Sequence, residues 1–211
     1  MSASSRRPRS TSAAVRVPST LWALGPAPLD PDDRWPDPIL SHAIAEFSEP
    51  GSRMLLVDWP APTARGNLRV PSPDTAAALA QIRELDRLSS DAPDSGESVD
   101  LVVASLLRDP VNPVRAAEYI TTLATEAMAM GGLLVVLSRC RHSDSGVLHD
   151  PAGSVVAAAQ AADLLYLQHI IAAPISGTTI TAAPAEPGSS AVARHHVAHT
   201  DVFVFLQPAH G

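Results

Sequence analysis

Two stretches of the chain put a polar residue where a buried apolar run ends. "VDLVVASLLRDP" passes from Leu101-Val102-Val103 to Ser105-Leu106-Leu107-Arg108 before a proline, and "RMLLVDWPAP" runs from Met54 to Val57 and stops at Asp58. A short apolar run bounded by such signals is the pattern of a strand covered on both faces in a parallel sheet. Open α/β sheets hold their ligands in the loops that leave the carboxyl ends of such strands. Ser105-Leu106-Leu107-Arg108 is therefore a candidate site.

The other reactive residue types carry less. His195, His196 and His199 lie close together, and His195 with His199 would share a face of a helix as zinc-binding pairs do. No acidic general base stands between them, and the segment leads directly into a strand, so no metal site is expected. Cys140 is flanked by Arg139 and Arg141, whose charges would lower a thiol pKa. As the single cysteine it excludes an internal disulfide framework and a multi-cysteine zinc site. None of the fifteen basic residues is lysine, which excludes a Schiff base and a Walker lysine together. No Gly-x-Ser-x-Gly elbow, phosphate-binding loop or paired-carboxylate arrangement is present.

The elements that must position Ser105 and Asp58 follow from periodicity. With 211 residues, 45% of them apolar, the chain is long enough for one domain with a full core. Residues 1–20 read as a disordered Arg- and Ser-rich tail, and 21–211 as the folded domain. "LWALGPAPLDPDDRWPDP" carries five prolines and should run as an extended arm across the surface, anchored by Trp22 and Trp35. "DPILSHAIAEF" has helical spacing, with Asp37 as its expected N-cap. A second helix is expected from about Asp74 to Leu88, followed by a solvated acidic loop, "SSDAPDSGES". "NPVRAAEYITTLATEAMAMGG" reads as a long helix stopped by Gly131-Gly132, and "LLVVLS" as the strand after it. A further helix over "HDPAGSVVAAAQAADLL", a strand at "LYLQHIIAA" and a last strand at "DVFVFLQ" complete an alternating α/β pattern.

Taken in order, the segments "FSEPG", the strand ending in Asp58, "DLVVAS", "GGLLVVLS", "LYLQHIIA" and "AHTDVFVFLQP" resemble the amino-group (N4/N6) DNA methyltransferases, most narrowly an actinobacterial family with a Leu/Val-Trp-Ala arm like Leu21-Trp22-Ala23. The resemblance spans residues 21 to 208. It implies a Rossmann-like class I methyltransferase sheet with flanking helices, here reduced on the side of the second and third strands, and a last strand antiparallel to its neighbours. It also implies S-adenosylmethionine as the cofactor, if any, with Asp58 and Pro60 at the cofactor position and Ser105 and Arg108 at the catalytic one.

Both motifs depart from the family's pattern. Trp59-Pro60-Ala61-Pro62 replaces a Gly-rich turn that lets backbone approach the cofactor. No acid ends the stretch "NLRVPSP", where a ribose-binding carboxylate is expected. Ser105 keeps the first place of the catalytic motif, but Leu106-Leu107-Arg108 stands where Pro-Pro and a stacking aromatic ring belong. A cation there opposes the positive charge that an attacking amine develops. The expectation is a degenerate methyltransferase-like protein without tightly bound cofactor, acting as a binding or regulatory protein with a protein partner. The alternative is an active S-adenosylmethionine-dependent enzyme on DNA or another substrate. DNA is disfavoured because Arg6, Arg7, Arg9 and Arg16 stand in a stretch without acids, so the −7 net charge understates the acidity of the rest. Without an apolar span or signal segment, the expected location is cytoplasmic, off the membrane.

Overall fold

In the computed structural model, residues 20–59, 73–90, 97–108, 112–142, 147–181 and 198–209 are described. Their elements are β1 (Leu21–Ala23), α1 (Asp37–Phe47), β2 (Arg53–Asp58), α2 (Pro73–Glu84), β3 (Leu88–Ser90), β4 (Val99–Ser105), α3 (Pro113–Ala127), β5 (Met128–Ser138), β6 (Arg141–His142), β7 (Leu148–His149), α4 (Ala152–Ala161), β8 (Leu165–Ala173), β9 (Ile175–Ser176), β10 (Thr179–Ile180) and β11 (Thr200–Leu206). The expected tail lies outside the described residues apart from Thr20.

Seven strands form one sheet in the order β1-β8-β11-β5-β4-β2-β3. Every neighbouring pair is parallel except the two that β11 makes, with β5 and with β8. The strand expected to be antiparallel is therefore the antiparallel one, and the architecture is the Rossmann-like methyltransferase fold. Beyond β2 the sheet carries only the three-residue β3, and eight residues join β3 to β4, too few for a strand-and-helix crossover. That is the reduced side.

Alternation along the inner strands sorts their side chains into two cores. Met54, Leu101, Val103, Val135 and Leu137 face α1, α2, Trp22 and Trp35, whereas Leu55, Val57, Val102, Ala104 and Val136 face α3 and α4. Continuing the alternation by one residue puts Asp58 and Ser105 on the face of α1 and α2. Trp22 and Trp35 are 3% and 5% exposed, and their indole N–H groups donate to Glu46 at 2.9 Å and to Thr75 at 3.2 Å.

Four expectations need correction. The arm does not merely cross the surface: Leu21–Ala23 pairs with Ile171–Ala173 as the sheet's edge strand. α1 begins at Asp37, and its N-cap position is Pro36, with no side-chain cap. α2 ends at Glu84, not Leu88, because Asp86 takes a positive φ of 61° and its carbonyl accepts from Gly51 N–H at 2.7 Å, turning the chain into β3. α3 ends at Ala127 rather than at the glycines, since Met128 is already extended and pairs with Val99.

Gly131 and Gly132 therefore serve the strand. Gly131 sits at φ +82°, and Gly132 lies so close to its neighbours that a Cβ would stand 2.8 Å from the Ala129 carbonyl and 3.2 Å from that of Val99. Gly132→Ala should lower stability by about 1–3 kcal/mol, the range for overpacking. Trp35→Ala should lower it by about 3 kcal/mol, the scale for truncating a buried aromatic side chain. Urea denaturation of each variant checks both.

Candidate functional site

The register places Asp58 opposite Ser105 across the β2–β4 pair, so the two polar strand ends predicted separately form one site. Ser105 is 1% exposed. What they meet is the arm. Arg34 forms an ion pair with Asp58 through Nη1 and Oδ2, and the hydroxyl of Ser105 donates to the Arg34 main-chain carbonyl at 2.7 Å. Leu107 N–H reaches the same hydroxyl at 3.4 Å. One residue of the arm thus occupies the carboxylate of the first motif and the hydroxyl of the second.

Proline and Asx chemistry holds the arm in this path. Asp30 Oδ1 accepts from Asp32 N–H at 2.8 Å and Asp33 Oδ1 from Trp35 N–H at 3.0 Å, one local turn before Arg34 and one that spans it. Two arginines at the end of β5 clasp the arm from the sheet. Arg139 donates to the Asp30 carbonyl at 2.8 Å and to Thr200 Oγ1 at 2.9 Å, while Arg141 donates to the carbonyls of Pro31, at 2.7 Å, and Leu107.

The rest of the second motif has become interior. Leu106 and Leu107 are 1% and 0% exposed and join opposite cores, and Leu106 N–H donates to the Leu137 carbonyl at 2.9 Å. Arg108 is exposed and lines a groove of about 740 Å³ between the arm and α2, opposite Asp30, Asp33, Asp74 and Glu84. Trp59 packs its ring 5.2 Å from that of Tyr119. Pro60 and Pro62 lie outside the described residues, as do His195 and His196.

The strand beside β2 is β3, and Asp91 follows Ser90 directly in the sequence, whereas the stretch before Pro73 lies outside the described residues. Asp91 itself lies outside the described residues.

Cys140 reverses its expectation. Partial burial and the carboxylates of Asp150 and Asp201 push its thiol up to about 11. His199 and His169 both face Asp201, at 3.5 and 2.9 Å, with the His169 ring stacked on Phe203. Among the described residues no group of three or more His, Cys, Asp or Glu side chains is placed to hold a metal ion. No described helix is long and apolar enough to cross a membrane.

An incoming S-adenosylmethionine would meet polar groups that are already engaged. Asp58 is neutralised by Arg34, and Ser105 is bonded to the arm's main chain. With the arm in place, these residues do not fit the cofactor.

No protein-family model matches the chain, and no curated protein matches it. Among solved structures it is similar to the N-methyltransferase NodS from Bradyrhizobium japonicum WM9, at 16% identity over 84% of this chain and 99% of that one, with a TM-score of 0.47. A second is an S-adenosylmethionine-dependent methyltransferase from Methanosarcina mazei, at 9% identity over 80% and 98% of the two chains, TM-score 0.45. A third, described as a candidate DNA modification methylase from Thermus thermophilus, gives 9% identity over 91% of this chain and 54% of that one, TM-score 0.35.

Burial raises the Asp58 carboxyl to about 6 in spite of the opposing Arg34 charge and hydrogen bond. A carboxyl raised in the folded state is favoured protonated, so its contribution to stability is greatest below its unfolded pKa and is lost as pH climbs through the folded one. Relative to Asp58→Asn, the wild-type protein should lose stability between about pH 4 and 6 and then level off. Arg34→Met should move the carboxyl titration upward, read by carbon NMR of Asp58.

Proposed function

We propose that the protein is a methyltransferase-fold protein that does not transfer methyl groups and acts by binding, with a protein partner, while its own arm fills the ligand edge of the sheet. The observation that carries this reading is Arg34, whose side chain pairs with Asp58 and whose carbonyl takes the Ser105 hydroxyl. A cofactor bound through Asp58 would have to displace a partly buried ion pair. A target amine approaching Ser105 would have to displace a hydrogen bond made at 1% exposure. The residues that follow Ser105 add no stacking ring, since Leu106 and Leu107 are core residues.

The acidic balance of the chain argues against DNA as the bound partner. The second reading is an active S-adenosylmethionine-dependent methyltransferase, favoured by one observation: Asp91 directly follows β3, as a ribose-binding carboxylate would.

Calorimetry with S-adenosylmethionine separates the two. The binding protein gives no saturable association in the micromolar range, which corresponds to about −8 kcal/mol, and no transfer of radiolabelled methyl to DNA. Micromolar binding together with transfer that Ser105→Ala abolishes would establish the enzyme instead.

A further inference from the structure

Arg139 and Arg141 are neighbours at the carboxyl end of β5, and among the described residues neither touches a carboxylate. All the acceptors they reach are neutral: Thr200 Oγ1 and the main-chain carbonyls of Asp30, Pro31 and Leu107. Arg139 is 3% exposed, yet its Nη2 is buried without a hydrogen-bond partner among the described residues, and so is Nε of Arg141. Burial and the nearby Arg141 charge lower Arg139 to about 10, against the weaker opposing pull of Asp33 and Asp30.

A buried guanidinium beside a second, half-buried one is costly unless a counter-charge joins them, and unfilled donors add to that cost. The geometry of a guanidinium matches oxyanions in particular, because two parallel N–H groups meet two oxygens. The carbonyls of Asp30 and Pro31, consecutive in the arm, are oxygen acceptors without the charge.

We infer that Arg139 and Arg141 form a site for a small oxyanion, a phosphate or carboxylate group, in which the carbonyls of Asp30 and Pro31 are displaceable stand-ins. The anion would pair with both arginines and loosen the arm at its middle. The site is distinct from the Asp58–Ser105 pair and holds whether or not the protein transfers methyl groups.

The test uses the full chain in thermal denaturation and calorimetry with inorganic phosphate and, separately, succinate, each against sodium chloride at matched ionic strength. At least one oxyanion should raise Tm saturably beyond chloride. Arg141→Gln should weaken that binding by about tenfold or more, the scale for losing a charged hydrogen bond. Arg139→Lys, which keeps the charge but loses the fork, should weaken it too and serves if the first variant fails to fold. Response to phosphate alone assigns a phosphate group, and response to succinate alone a carboxylate. Stabilisation no greater than that by chloride, or full affinity retained in the variants, would overturn the site.

Discussion

The ion pair between Arg34 and Asp58 is the contact on which the sheet's ligand edge depends. Asp58 is the last residue of β2 and faces α1 and α2, where burial disfavours its charge and raises the carboxyl to about 6. A carboxylate in that position needs a cation, and the arm delivers one from 24 residues upstream. Losing either partner leaves the other charge in a poorly hydrated place, which is more costly than the pair itself is stabilising. The pair therefore fixes where the arm runs.

From that fixed point the rest of the edge follows. Holding Arg34 at Asp58 brings its carbonyl over Ser105 and sets Trp35 into the core beside α2. It also brings Asp30 and Pro31 to the guanidinium groups at the end of β5. The loop after β4 then lies beneath the arm, and apolar Leu106 and Leu107 are well suited to that interior where the polar and aromatic residues of a substrate loop would not be. The ligand edge of the sheet thus holds the protein's own arm.

The inner strands were legible because each is buried on both faces and reads as an apolar run of its own: Met54–Val57, Leu101–Val103, Leu133–Leu137 and Val202–Phe205. The edge strands were not. Leu88-Ser89-Ser90 and Leu21-Trp22-Ala23 are too short for a pattern, and pairing with β2 and β8, respectively, makes them strands. Asp91 follows a strand that periodicity does not reveal. "MAMGG" misled because Met and Ala favour helix and glycine commonly ends one, whereas the parallel partner Val99 draws Met128 into the sheet. Asp58 and Ser105 were found as strand ends, but only the register shows that they face each other. Arg34 was missed, although it is the one cation in the acidic run "DPDDRWPDP". Arg139 and Arg141 flank Cys140 in the sequence, and only the fold brings them to the arm's carbonyls.

A double-mutant cycle on Arg34→Met and Asp58→Asn tests the central contact most directly. If Arg34 holds the arm through Asp58, the two single losses of stability will not add, and the coupling will be about 1 kcal/mol or more. Additivity within about 0.5 kcal/mol would mean that the two side chains do not interact and that the arm is not anchored at this edge of the sheet.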